Sequence, residues 1–127
     1  YHGLLQAPFS APAFGYQIQF PNGTRLMNYN EGFSNLVDIN ELEEFSSKFC
    51  PDILLAGMQL NFEDYLAKGV FALKPKTIIL FHPHEKLFEK FKLQSSSPKI
   101  FIDRIKHYLP DVNIIVARPM DTLNISN

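Results

Sequence analysis

The sequence predicts an α/β fold, in which a layered, mixed β-sheet is built from a β-hairpin followed by helix-strand repeats, with the helices packed on the sheet. Three observations indicate this. The run Ile78–Phe81 is wholly apolar, as is typical of a short strand buried on both faces. Asn22-Gly23 separates two strand-like segments, as in a tight hairpin. Amphipathic helical segments alternate with later strands, which favours parallel pairing through right-handed crossovers.

The predicted hairpin consists of residues 14–20 and 25–29. In the first segment, FGYQIQF, aromatic residues and Ile18 alternate with two glutamines, which predicts a half-buried strand. Asn22 and Gly23 both tolerate positive φ and are expected to form a two-residue turn. We therefore interpret Asn22 as a turn residue rather than as a glycosylation site.

Four helices and three further strands are predicted after the hairpin. Asp38 is expected to cap the first helix, with Glu41 completing a capping box, and Asn61 to cap the second. Ser97-Pro98 is a strong signal for the start of the last helix. The predicted helices are residues 39–49, 62–73, 85–91 and 98–109, and the predicted strands are 52–58, 78–81 and 112–117.

Length and composition indicate one domain of 127 residues with an ordinary apolar content of 46%. A formal net charge of −1 without a basic stripe argues against nucleic-acid binding. No apolar stretch approaches the ~20 residues needed to span a bilayer, so no membrane partner is expected.

Cys50 is the single cysteine of the chain, so an internal disulfide is excluded. We interpret it as a buried, inert thiol. The chain starts at Tyr1 and shows no signal peptide; we expect a soluble, cytoplasmic protein that has lost an upstream segment.

His82 is the residue whose chemistry most needs an explanation. It directly follows the run Ile78–Phe81, and open α/β sheets place their chemistry at the carboxyl ends of strands. Two interpretations remain open: a histidine that leaves a strand into a loop, or a metal ligand, since neutral imidazole is a common ligand of zinc. We expect His82, rather than His84, to point into a pocket at this edge. His107 is predicted to be solvated near a helix C-terminus.

Four stretches resemble, in order, the C-terminal half of a metallo-β-lactamase-fold hydrolase, particularly the branch of broad metal-dependent hydrolases. They are FGYQIQFPNGTRLMNYNEG, PDILLAGM, ALKPKTIILFH and VNIIVARPMDTLNI. The first is similar to the family's hairpin before a Gly-Asp-Thr-type metal loop, and the second to the strand after the next helix. The third is similar to the strand that runs into the last metal-binding histidine, and the fourth to the closing strand. The resemblance implies that residues 1–127 form a single domain or half-domain, which is half of an αββα sandwich.

The same resemblance implies a set of metal ligands. His82 matches the terminal ligand histidine, and His2 matches the histidine that precedes the hairpin. The metal-bridging aspartate is replaced by Glu31 or by Asn30, depending on the alignment. Glu31 can bridge two cations through its two oxygens, whereas the amide of Asn30 does so poorly. The metal would be zinc or another divalent ion such as manganese or iron.

Two functions follow from the resemblance. In the first, the chain is part of a metal-dependent hydrolase of a small-molecule substrate and supplies His82 and half of the active-site cleft. Since the family's HxHxDH motif has no match in this sequence, this chain would be inactive alone and would need a complementary N-terminal half or a homo-oligomer. In the second, the altered loop at Glu31 marks a catalytically degenerate scaffold or partner-binding module. A flavodoxin-like binding domain is disfavoured by the opening hairpin.

Overall fold

The computed structural model describes residues 16–30, 38–82, 85–94, 97–118 and 120–124. These residues form an α/β fold with a five-stranded mixed sheet, as predicted. The strands are β1 (Tyr16–Gln19), β2 (Arg25–Asn30), β3 (Ile53–Gly57), β4 (Thr77–Phe81) and β5 (Asn113–Val116). The helices are α1 (Ile39–Phe49), α2 (Glu63–Leu73), α3 (Glu85–Lys90) and α4 (Pro98–Tyr108).

The strands lie in the sheet in chain order, β1-β2-β3-β4-β5. β1 pairs with β2 antiparallel, and each later pair of neighbours is parallel. Each parallel connection steps across the sheet in the same direction, and right-handed crossovers of this kind place their helices on one face. β4 is thus an interior strand, and its residues 77–80 are all buried, as predicted from the apolar run.

The hairpin turn contains three residues rather than the predicted two. The N–H of Gly23 donates to the carbonyl oxygen of Phe20 at 2.9 Å, which makes Pro21 and Asn22 the central residues of the turn. Gly23 then takes a φ of +90°, while the side-chain oxygen of Asn22 accepts a hydrogen bond from the N–H of Thr24 at 3.0 Å. The proline explains the difference, because its fixed φ suits the first central position of such a turn.

The core lies between the sheet and a layer formed by α1, α2 and α4. The sheet contributes the buried residues Met27, Tyr29, Leu54, Ala56, Ile78 and Leu80. The helices contribute Leu42 from α1, Leu66, Ala67, Val70, Ala72 and Leu73 from α2, and Phe101 and Ile105 from α4. One continuous cluster therefore joins one face of the sheet to all three long helices.

The opposite side of the sheet, called the second face below, carries the alternate residues. The strand register places there Ile18, Leu26, Asn28, Ile53, Leu55, Thr77, Ile79, Phe81, Asn113 and Ile115, none of which is charged. The exposed fraction of these residues rises from 5% at Thr77 and 7% at Ile53 and Ile79 to 48% at Ile18. The prediction that the apolar side of β1 is half-buried is therefore wrong for Ile18. It is Gln17 that shares the helix-covered face with Met27, since the register turns Ile18 toward the second face.

Two local predictions about side chains also need correction. Asn61 does not cap α2: its φ of +70° is left-handed rather than the extended geometry of a cap, and the N-cap residue is Phe62, which makes no side-chain cap hydrogen bond. Cys50 is exposed rather than buried, because α1 ends at Phe49 and leaves Cys50 as the C-cap at the surface. In contrast, Asp38 caps α1 as predicted, with Oδ1 accepting a hydrogen bond from the N–H of Asn40 at 2.8 Å.

Candidate functional site

At the amino ends of the parallel strands, Asp52 makes hydrogen bonds and an ion pair that connect β2, β3 and β4. Oδ2 of Asp52 accepts a hydrogen bond from the N–H of Arg25 at 2.9 Å, and its carbonyl oxygen accepts from the N–H groups of Lys76 and Thr77 at 3.1 and 3.0 Å. Nζ of Lys76 also lies 3.5 Å from Oδ1 of Asp52. These bonds hold β2, β3 and β4 in register, so the groups at this edge serve the fold.

The carboxyl ends of β3, β4 and β5 meet at the opposite edge of the sheet. The parallel hydrogen bonding continues past the strands, since the N–H of Met58 donates to the carbonyl oxygen of Phe81 at 2.8 Å and that of Ala117 to Leu80 at 2.8 Å. The register aligns His82 with Met58 when it is extended by one position between β3 and β4, and with Arg118 when it is extended by two positions between β4 and β5. This edge is where open α/β sheets bind their ligands.

His82 is partly buried and directly follows the interior strand β4. Two further polar residues, Gln59 and Arg118, are the first described after Met58 and Ala117 on the neighbouring strands. The residues that follow these three strands thus include an imidazole, an amide and a guanidinium, which are groups that bind anions or transfer protons. Sequence reasoning missed Gln59 and Arg118, although each is the first strongly polar residue beyond a predicted strand.

A tight turn holds Arg118 beside this edge. The N–H of Arg118 donates to Oδ2 of Asp121 at 2.8 Å, and the N–H of Asp121 donates to the carbonyl oxygen of Arg118 at 3.1 Å. Met120 within this turn has a φ of +72°. These two reciprocal bonds fix the backbone of Arg118, while its side chain remains exposed.

Of the residues predicted as metal ligands, the structure describes His82. His2 and Glu31 lie outside the described residues, as do His84 and the side chain of Asn30. Within the described ranges, no group of three or more His, Cys, Asp and Glu side chains could hold a metal ion. The described part of the edge therefore offers one candidate ligand and not a complete metal site.

Several charged groups of α2 and α4 form ion pairs at the surface or are exposed to solvent. Arg104 on α4 pairs with Asp64 on α2, which joins two neighbouring helices. Nζ of Lys99 lies 2.9 Å from Oδ2 of Asp103, and the hydrogen bond and charge of that carboxylate raise the pKa of Lys99. His107 is exposed in the last turn of α4, as predicted.

No family model, curated protein or solved structure matches the chain. In the part of the chain that the structure describes, no helix has both the length and the apolar character needed to cross a membrane.

Proposed function

We propose that the chain is one half of a metal-dependent hydrolase with the metallo-β-lactamase fold, to which it contributes His82 as a metal ligand and half of the active-site cleft. The position of His82 carries the proposal. This histidine lies immediately beyond an interior parallel strand, at the carboxyl edge where α/β sheets place their chemistry. His107, in contrast, is an exposed helix residue with no such position.

The second face of the sheet supports the half-domain part of this proposal. The three long helices pack on the other side, while the second face carries seven large aliphatic or phenylalanine side chains and no charge. Its centre is buried at Ile53, Thr77 and Ile79, and its margin is partly or fully exposed. A sheet built largely from parallel strands is normally covered on both faces, and two sheets that pack face to face lie ~10 Å apart. A second sheet, from a complementary N-terminal half, is the cover that a sandwich fold would provide.

The described residues do not fit a metal on their own. Catalytic zinc sites use three protein ligands, whereas the described edge supplies His82. The remaining ligands must come from a complementary half or from His2 and Glu31, and no catalytic step is assigned to this chain alone. A metal bound there would lower the pKa of a water molecule and polarise the scissile group. Gln59 and Arg118 would then bind polar or anionic groups of a small-molecule substrate.

A second candidate function is a catalytically degenerate scaffold or partner-binding module of the same fold. One observation favours it: among the described residues, no cluster of metal-ligand side chains is present. In that case His82 is a loop residue without a ligand role, and the second face of the sheet is the surface that would bind a partner.

Metal analysis of the whole protein, purified without chelators, distinguishes the two functions. If His82 is a ligand, His82→Ala should lower the affinity for zinc by about 10-fold or more, because one ligand of three or four is lost. His107→Ala is the matched control, since it removes an exposed histidine elsewhere and should leave zinc binding unchanged. Equal zinc affinity in His82→Ala and the unsubstituted protein would refute the ligand role. A protein that binds no zinc, manganese or iron would leave the scaffold function.

A further inference from the structure

The segment after His82 exposes large apolar side chains between lysines. Leu87, Phe91 and Leu93 are 50%, 60% and 55% exposed. The N–H of Phe91 donates to the carbonyl oxygen of Leu87 at 3.1 Å, which continues the helical hydrogen bonding of α3 by one residue. The name basic ridge is used for the exposed residues Lys86, Leu87, Lys90, Phe91, Lys92 and Leu93.

Helix α1 carries a surface of opposite character. A depression of ≈ 280 Å³ is lined by Glu41, Glu44, Phe45, Lys48 and Phe49, and these residues are called the acidic groove. The rings of Phe45 and Phe49 lie 5.5 Å apart between centroids, and Phe49 is 47% exposed. This volume is close to the lower limit of the ~300–1,000 Å³ that is usual for small-molecule sites.

The charge of the groove is available for a partner. Nζ of Lys48 lies 3.6 Å from Oε1 of Glu44, but both side chains are largely exposed, at 65% and 72%, and such pairs are weak. Glu41 and the neighbouring Glu43 are also exposed on α1. The helix surface is therefore acidic around an aromatic floor.

We propose that the acidic groove of one copy of this chain binds the basic ridge of a second copy. The lysines of the ridge match the glutamates of the groove, and Phe91 or Leu87 matches the aromatic floor formed by Phe45 and Phe49. Apolar contact supplies affinity, while complementary charge selects the partner and the orientation. Since Phe91 and Phe49 are both exposed, one copy does not bury its own ridge in its own groove. When the ridge of each copy binds the groove of the other, the same contact is made twice and the two copies form a two-fold symmetric dimer.

Charge reversal gives a sharp test, because the two halves of the contact lie on different helices. Lys90→Glu should place a negative charge in the ridge, where the groove is acidic, and Glu44→Lys a positive charge in the groove, where the ridge is basic. Each variant alone should dimerise about 10-fold more weakly than the unsubstituted chain. Mixed together, the two variants should form a heterodimer, because the new glutamate at position 90 of one chain can pair with the new lysine at position 44 of the other, while the second contact keeps its original charges. Sedimentation equilibrium measures the four dissociation constants, which are those of the unsubstituted chain, of each variant and of the mixture.

Ionic strength and matched variants complete the design. Dimerisation should weaken from about 0.01 M to about 1 M salt, as the Debye length falls from ~30 Å to ~3 Å. Lys106→Glu reverses an exposed lysine on α4 and should leave the affinity unchanged. Phe91→Ser should weaken the dimer, whereas Phe71→Ser, at a 40% exposed phenylalanine on α2, should not. Circular dichroism verifies that each variant is folded. A chain that stays monomeric at low salt, or a mixture that associates no better than its separate variants, would overturn the proposal.

Discussion

Gly69 marks the closest approach between α2 and the sheet. A Cβ atom at this position would lie 1.8 Å from Oη and 2.7 Å from Cζ of Tyr29, whose side chain is fully buried in the core. The helix passes over the tyrosine ring because glycine has no side chain there. The register of α2 on the sheet therefore depends on one residue of each element.

Replacing Gly69 by alanine should destabilise the fold. Alanine is more favourable than glycine inside a helix by about 1 kcal/mol, whereas overpacking a buried contact costs about 1–3 kcal/mol. Since Tyr29 is fully buried, moving its ring would disturb the packed core, and the overpacking cost should be the larger. We expect a net loss of about 1 kcal/mol in the free energy of unfolding, measured in urea. Lys68→Ala, at an exposed neighbour, is the control and should change little.

A double variant identifies the cause. Tyr29→Phe removes the Oη atom nearest to the added methyl group, so Gly69→Ala should cost less in that background than in the unsubstituted chain. A stability gain from Gly69→Ala alone would show that the helix can shift and that this contact is not limiting.

Substitution of Gly23 would strain the backbone of the hairpin turn without creating a steric clash. Its φ is +90°, and no atom lies within 4 Å of an added Cβ, so a substitution there meets open space. Gly23→Val should lower the melting temperature, because a left-handed conformation costs a β-branched residue about 1–2 kcal/mol or more. Gly23→Asn should cost less, since asparagine tolerates positive φ. Equal melting temperatures for the valine variant and the parent would contradict the turn.

At the scale of single elements, Asp38 and Ser97 form a matched pair of helix caps. Oδ1 of Asp38 accepts the N–H of Asn40 at 2.8 Å, whereas the side chain of Ser97 makes no cap hydrogen bond. Asp38→Ala should therefore cost about 1 kcal/mol in unfolding free energy, and Ser97→Ala should cost nearly nothing. Urea unfolding of both variants measures the difference. Similar losses in the two variants would mean that capping by Asp38 contributes little to stability.

The elements were largely predictable because each is encoded by a local pattern. Helical spacing with Asp38 or Pro98 at the start indicated α1 and α4, and an unbroken apolar run indicated β4. The faces of β1 were not predictable in the same way. Alternation separates Ile18 from Gln17 but does not show which side the helices cover, since the direction of the crossovers decides that. The capping prediction for Asn61 is wrong because the left-handed backbone of this residue depends on the turn before α2, which a local capping pattern does not reveal.

The candidate site was less predictable than the fold. His82 was identified because it follows a strand that the sequence marks clearly. Gln59 and Arg118 join it through the parallel register of three strands, which is a property of the sheet and not of any one segment. The completeness of a metal site depends on side chains that are distant in sequence, and no local pattern reports their geometry.

At the scale of the whole molecule, the sheet and the site raise the same question. Three helices cover one face, and the second face is largely apolar and uncharged, buried at Ile53 and Ile79 and partly exposed at Leu55, Phe81 and Ile115. The candidate ligand His82 lies at an edge of that sheet without a described ligand cluster. A complementary half that covered the second face would also have to reach the carboxyl edge of the sheet to supply the other ligands. Folding, metal binding and catalysis would then depend on the same association.

The last prediction is that this chain alone does not hydrolyse esters or phosphodiesters at an enzyme-like rate. One described candidate ligand holds a metal weakly, and a weakly held metal activates water poorly. Zinc binding and turnover should be measured for this chain, for the complementary N-terminal half and for the two mixed. The mixture should bind zinc tightly and turn over substrate, and His82→Ala in this chain should abolish both gains. Stoichiometric zinc with turnover in the isolated chain would contradict the division of the site. A mixture that associates through the second face but binds no metal would instead favour a scaffold, because association would then occur without the chemistry.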